Sequence, residues 1–182
     1  MSKKGSVKVV YGPMFSNKTV TLIDTCLKSE ITTFPIKPIK DTRYDSPDEI
    51  VSNNTLIPKL KAHKTDLLMN LHNKLPPLPC LILVDEGQFF EDLLSFTRMA
   101  VNEGYQLFIA TLDTTFERKL WKPIEALFED KMIAPYTEFI PLKSTCYKCQ
   151  EEAEWSKRTI ASKELCVVGG SESYVPCCTK CW

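Results

Sequence analysis

The eight residues Gly12-Pro13-Met14-Phe15-Ser16-Asn17-Lys18-Thr19 constrain this chain most. They follow a β-rich run, Val7-Lys8-Val9-Val10-Tyr11, and lead into a segment with apolar residues at Val20, Ile23 and Leu27, near helical spacing. Strand, tight turn and helix is the layout of a phosphate-binding P-loop, G-x-x-x-x-G-K-[ST]. In such a loop backbone N–H groups wrap the phosphates, the Lys reaches the terminal ones and the hydroxyl binds Mg²⁺. Asn17 stands where the second Gly of that pattern belongs. The position calls for a backbone angle that a Cβ resists, and Asn is among the non-glycine residues that enter the left-handed region most readily. The loop is therefore expected to keep its shape. Taken alone, the same residues also fit an ordinary turn whose Lys18 and Thr19 are merely solvated.

At 182 residues the chain can bury a real core and has room for one domain plus a small module. Lys and Arg together number 23, as do Asp and Glu, so no global charge pulls the chain towards nucleic acid or an anionic membrane. No run reaches the roughly 18 apolar residues of a membrane-spanning helix. The start, Met1-Ser2-Lys3-Lys4-Gly5, leads into a strand and not into a signal-peptide core. A cytoplasmic location is the expectation, the host cytoplasm if the chain is viral.

Along the chain, the helix after the P-loop should run from 18 to about 30. The β-rich stretch 32–39 carries Pro35 and Pro38, which cannot donate to a ladder and imply an edge strand or irregular backbone. Residues 44–60 read as a long loop, and 63–74 as an amphipathic helix ended by Pro76, Pro77 and Pro79. Cys80-Leu81-Ile82-Leu83-Val84 is a continuous apolar run closed by Asp85 and Glu86, as in a strand buried on both faces of a parallel sheet. A helix over 91–102 should end at Gly104, a strand should follow over 105–110, and a short helix over 123–130. This alternation predicts an α/β fold, a parallel sheet flanked by helices.

Two constellations carry chemistry. An apolar strand ending in Asp places Asp85 near the Mg²⁺ shell of a P-loop site, and Glu86 is then free to take a proton from an incoming hydroxyl. The bland alternative is a strand end facing solvent. The second constellation is Cys146-Tyr147-Lys148-Cys149 with Cys178-Thr179-Lys180-Cys181, two C-x-x-C knuckles separated by 28 residues. Four thiolates in this pattern suit a tetrahedral structural Zn²⁺, and a loop must project from between the knuckles. Cys177 is an alternative ligand at C-x-x-x-C spacing, and reduced or disulfide-paired thiols are the plain alternative to metal. Six of the eight cysteines fall in this last part of the chain, which marks it as a separate module.

Together these motifs resemble the type II thymidine kinase family, with cellular, bacterial and poxvirus members. The resemblance rests on Gly12-Pro13-Met14-Phe15-Ser16, Lys40-Asp41-Thr42-Arg43-Tyr44, Asp85-Glu86-Gly87-Gln88-Phe89-Phe90, Leu112-Asp113, Thr115-Phe116 and Arg118-Lys119. Lys157-Arg158, Val168-Gly169-Gly170 and Tyr174 add to it. It implies a RecA-like P-loop ATP-binding domain over 1–142 and a zinc-ribbon module over 143–182 whose long loop, the lasso, folds over the nucleoside.

By that resemblance the ATP phosphates and Mg²⁺ are held by Gly12, Pro13, Met14, Phe15, Ser16, Asn17, Lys18, Thr19, Asp41, Arg43, Asp85 and Gln88. Glu86 takes the proton from the 5′-hydroxyl. Met14, Phe89, Leu112, Phe116, Ser156, Val168, Gly169, Gly170 and Tyr174 enclose the base and sugar, and Cys146, Cys149, Cys178 and Cys181 hold structural Zn²⁺. The implied reaction is phosphorylation of thymidine to dTMP, with dTTP as feedback inhibitor and a homotetramer as the assembly. No nucleic acid or membrane partner is expected.

Three stretches depart from the family pattern. Asn17 replaces the loop Gly, Thr114 replaces a Gly between Asp113 and Thr115, and Ser52-Asn53-Asn54-Thr55 replaces Ser-His-x-Gly. An Asn17 side chain that crowded the phosphates would leave a weakened kinase or a nucleotide-binding scaffold, the alternative to turnover. A zinc-ribbon nucleic-acid binder on an ATPase core is a third reading, disfavoured by the neutral charge.

Overall fold

A computed structural model describes residues 3–42, 48–162, 164–165 and 167–182. Six strands form one parallel sheet: β1 (Ser6–Tyr11), β2 (Thr32–Pro38), β5 (His63–Thr65), β6 (Cys80–Val84), β7 (Gln106–Thr111) and β8 (Thr137–Pro141), in the order β5-β2-β6-β7-β1-β8. Helix α1 (Lys18–Leu27) covers one face, and α2 (Leu93–Glu103) with α3 (Lys122–Glu129) covers the other. The expected α/β class, a parallel sheet flanked by helices, is what forms.

Side chains alternate across the sheet, so neighbours in sequence serve opposite cores. Val9, Ile82, Leu107 and Ile109 face α2 and α3, while Val10, Leu81, Leu83, Phe108 and Ala110 pack with Leu22 and Ile23 of α1. All five residues of β6 are buried, as a two-faced parallel strand requires. Because β7 lies between β1 and β6, the carboxyl ends of three strands converge. They deliver the P-loop, Asp85-Glu86 and Leu112-Asp113 to one edge, where ligands bind in open α/β sheets.

Four local expectations change. The proline-bearing strand β2 lies inside the sheet, between β5 and β6. The Ile36 carbonyl accepts from Asp85 N–H on the β6 side, and Ile39 N–H donates to Thr65 on the β5 side. Alternation then aims the Pro35 nitrogen at β5, whose register begins only at Ile36. The Pro38 nitrogen points past the last β6 pair, Ile36 with Val84. Neither proline sits where a ladder donor is needed, which is how an inner strand tolerates both.

Residues 63–74 are not one helix. His63 stacks on Phe34 with ring centroids 4.0 Å apart, within β5. Residues Leu68–Lys74 form a 3₁₀ helix, with Leu68 and Leu71 buried at the i, i+3 spacing of that geometry. Its first N–H groups, of Leu68 and Met69, donate to the Asp92 carboxylate, a long-range cap that sequence periodicity does not show. Within the stretch read as loop, β3 (Glu49–Ile50) pairs with β4 (Leu60–Lys61). Strand β8, unexpected from its half-buried sequence, closes the sheet beside β1.

The last forty residues build two small antiparallel pairs: β9 (Ser144–Thr145) with β10 (Glu152–Ala153), and β11 (Trp155–Arg158) with β12 (Tyr174–Cys177). Among the described residues no helix is long and apolar enough to cross a membrane.

Candidate active site

The phosphate end is shaped by backbone. Gly12 has φ +146°, and a Cβ there would lie 2.0 Å from the Leu142 carbonyl oxygen, so only glycine fits. Phe15 and Asn17 both hold positive φ, 64° and 62°. Asn17 therefore adopts the left-handed conformation in the glycine's place. It is exposed, with its carbonyl accepting from Thr21 N–H to start α1. Its exposed side chain borders the cavity that opens over the loop. Ser16 Oγ donates to the Pro13 carbonyl at 2.8 Å, and Lys18 Nζ lies 2.6 Å from the same oxygen, buried along the loop.

A cavity of about 260 Å³ opens over this loop, lined by residues 14–20, 51–54, Glu86 and Leu112. The Ser52-Asn53-Asn54 segment thus faces the phosphate cavity, with Ser52 Oγ accepting from Asn54 N–H. Behind it, Thr19 Oγ1 lies 3.3 Å from Asp85 Oδ1. The carboxylates of Asp41, Asp85 and Glu86 are all buried and lie within 4.8 Å of one another. Three crowded buried acids call for a countercharge, and an all-oxygen set beside a hydroxyl suits a hard cation such as Mg²⁺. Arg43 lies outside the described residues.

Glu86, two residues beyond the end of β6, sits in the left-handed region, with φ 52°. Its Oε2 accepts from Gln88 Nε2 at 2.6 Å, and Gln88 Oε1 in turn accepts from Leu112 N–H and lies 3.0 Å from Thr111 Oγ1. Gln88, expected with the phosphates, lines the neighbouring slot instead and spends its amide on orienting Glu86.

That slot holds Met14, Phe89, Leu112, Phe116, Ser156, Val168, Gly169 and Tyr174. Gly170 is not part of it; its carbonyl accepts from Ser173 and Tyr174 N–H, and it borders a separate cavity. Trp121, Thr114, Thr115, Leu165 and Val167 also line the slot and were not singled out as site residues by the sequence. Trp121 meets Phe89 edge to face, with ring centroids 6.0 Å apart. Thr114 forms a bridge with Leu120 that shapes the turn there, so the Gly-to-Thr departure is absorbed by an extended pairing. Asp113 sits beside this turn. Burial pushes its carboxyl above the ordinary Asp range, opposed by its own and Thr114's backbone N–H groups and by the charge of Lys18.

The cavity and the slot share Met14, Glu86 and Leu112. Glu86 therefore stands where a phosphate chain and a flat apolar ligand would meet. Across the junction Met14 N–H donates to Ser156 Oγ at 2.9 Å, tying the P-loop to β11.

In the C-terminal module the sulfurs of Cys146, Cys149, Cys178 and Cys181 lie within 4.8 Å of one another. Zn–S bonds of about 2.3 Å in a tetrahedron would set sulfurs roughly 3.8 Å apart, so the group fits a closed zinc site. Burial opposes ionisation of the Cys146 thiol, but backbone N–H groups of Cys149, Cys178 and Lys148 outweigh it and hold its pKa at about 6. Hydrogen bonding to Cys149 pushes the Cys181 thiol the other way, up to about 12, so the four thiols do not ionise alike. Cys177 is buried beside Cys146 with its sulfur 3.4 Å from the Cys178 carbonyl, outside the group of four.

Comparison with known proteins decides the family. The family model described as "Thymidine kinase" matches residues 5–182. The chain belongs to the thymidine kinase family. It is 34% identical to the sheeppox virus thymidine kinase over 181 residues, covering 98% of this chain and 97% of the relative. It is 33% identical to the human cytosolic thymidine kinase over 183 residues, 98% of this chain and 74% of that one. A third family member, thymidine kinase 1 of Dictyostelium discoideum, is 31% identical over 195 residues, covering 98% and 78%.

Proposed function

We propose that this protein is an ATP-dependent thymidine kinase that moves the γ-phosphoryl group of ATP to the 5′-hydroxyl of thymidine, giving dTMP and ADP. The observation that carries this reading is the shared position of Glu86 between the phosphate cavity and the apolar slot. There its carboxylate can take the proton as the 5′-oxygen bonds to the γ-phosphorus and the bond to the leaving ADP oxygen breaks. Gln88 holds the carboxylate in place through the 2.6 Å contact. Lys18 and the loop N–H groups neutralise phosphate charge, and the slot's aromatic walls accept a flat pyrimidine. Thr19 and Asp85, with Asp41 nearby, would hold Mg²⁺, which draws charge from the β- and γ-oxygens when bound. Arg43 is assigned to the phosphates on family resemblance alone.

Zinc at the four cysteines is read as structural, since four thiolates leave no open position. On resemblance we carry the division into an ATP domain over 1–142 and a lasso module over 143–182, a homotetramer and feedback by dTTP. A cytoplasmic location rests on the names of the cytosolic relatives. The deciding assay is thymidine-dependent phosphate transfer from Mg-ATP, with deoxyuridine run alongside. Formation of dTMP is the expected result; tight ATP and thymidine binding without transfer would sink the reading and leave a nucleotide-binding scaffold.

A further inference from the structure

Resting on the kinase reading, we propose that Arg158 is a positioning residue that builds the outer wall of the nucleoside slot. None of the described residues from 159 to 172 is buried, and two that face the slot, Leu165 and Val168, are 55% and 38% exposed. Apolar burial therefore does little to fix this wall. Backbone bonds of Thr159 and Gly170 to Ser173 and Tyr174 tie down its two ends, and among the described residues its middle is held by a fork of hydrogen bonds from the mouth of the β11–β12 hairpin, where Arg158 and Tyr174 are direct cross-strand partners.

Arg158 Nη1 donates to the carbonyls of Glu164 at 2.6 Å and Ser162 at 3.3 Å, and Nη2 donates to that of Leu165 at 3.1 Å. Nη2 also donates to the Tyr174 hydroxyl at 2.9 Å, and that hydroxyl donates to the Val167 carbonyl at 2.9 Å. Four carbonyls of the loop are thereby held by two adjacent side chains. The guanidinium carbon lies over the Phe116 ring, 3.7 Å from its centroid, and Phe116 lines the slot from another segment of the chain. Arg158 itself does not line the slot, so it acts through the residues that do.

The chemistry requires arginine. A planar fork can serve several carbonyls at fixed angles while its face rests on a ring, whereas an ammonium is a point charge that cannot do both. Leu165, Val167, Val168 and Gly169 of this wall line the slot, so a shift of the wall reshapes the space a nucleoside would fill. Arg158 and the wall it holds are not part of the phosphate cavity, so the effect falls on the nucleoside end.

The test is steady-state kinetics on Arg158→Ala and Arg158→Lys. Both are expected to raise KM for thymidine, about tenfold or more for Ala and about fivefold for Lys, with KM for ATP within about twofold of wild type. A thymidine KM that Ala leaves within twofold, or that Lys restores, overturns the proposal, as does an equal rise in both KM values. Hydrogen exchange on the full chain separates this from the kinase reading. If wild type transfers no phosphate, that reading fails by itself. Faster exchange of a peptide over 161–170 in Arg158→Ala, with the central sheet unchanged, then upholds the wall, and equal exchange overturns it.

Discussion

The two ends of the site are held by different means. At the phosphate end, backbone does the work: Gly12 is admitted by a carbonyl 2.0 Å from where a Cβ would stand, Phe15 and Asn17 turn through positive φ, and the loop hangs between a buried strand and a helix. At the nucleoside end a loop with no buried described residue from 159 to 172 is held by individual side chains and by the cysteine knuckles beneath it. Sheet-borne geometry is over-determined by the ladder. Geometry borne on side chains fails when one of them fails. Substitutions at the first end should therefore be lenient unless they touch a reacting group or place a Cβ at Gly12, and those at the second should act on thymidine selectively.

The largest expected effect tests the junction between the ends. Glu86→Gln should lower kcat by about 10² to 10⁴, the usual worth of a general base, while ATP binding by isothermal titration stays near wild type. A kcat within threefold of wild type would remove Glu86 from the proton transfer.

Next comes the metal. Elemental analysis should find one zinc per chain, and Cys178→Ser or chelation should abolish thymidine binding while ATP still protects the P-loop domain from heat, since metal binding here is folding energy for the module. Loss of both binding functions together would erase the contrast between the two ends.

A smaller effect is expected at the tie between them. Ser156→Ala leaves the buried Met14 N–H without its acceptor, which costs about 1 to 3 kcal/mol. Thermal unfolding should show a lower Tm, and both KM values should rise, because Met14 and Ser156 line the slot and Met14 also lines the phosphate cavity. A rise in only one would show that the tie is not shared.

The smallest concerns Asn17. Since Asn already adopts φ 62° there, Asn17→Gly should change kcat by less than about threefold and stability by less than about 1 kcal/mol. A large gain in turnover would show that the side chain does crowd the phosphates.

Much of the phosphate end was legible in the sequence because its signals are local. A β run, a glycine turn and a helix are contiguous, and Asp85-Glu86 closes an apolar run that reads as a buried strand. Even the left-handed Asn17 followed from its residue type. Long-range relations were less legible. Strand β2 reads in sequence as an edge strand or irregular backbone, because proline's missing N–H is visible there while the short reach of β5 is not. Residues 63–74 do not form one helix because His63–Thr65 pair with β2, a partner distant in sequence, and only Leu68–Lys74 stay helical, capped by Asp92. Trp121 and Leu165 reach the slot only through turns made elsewhere. Gln88 could be seen as a motif residue, but its bonds to Glu86 and Leu112 exist only once β6 and β7 lie side by side. Arg158 is visible in Lys157-Arg158, yet three of its partners are carbonyls, which every residue has.

The close approach of Gly12 to Leu142 has a bearing on descent. Leu142 N–H donates to the Tyr11 carbonyl at 2.7 Å, and Ser144 Oγ donates to Phe15, so the chain leaving the sheet for the cysteine module runs against the turn that grips phosphate. Halves of this molecule cannot be shuffled between relatives by recombination at the obvious seam near residue 142. A workable chimera has to inherit Gly12, Met14, Leu142, Ser144 and Ser156 as a single heritable block.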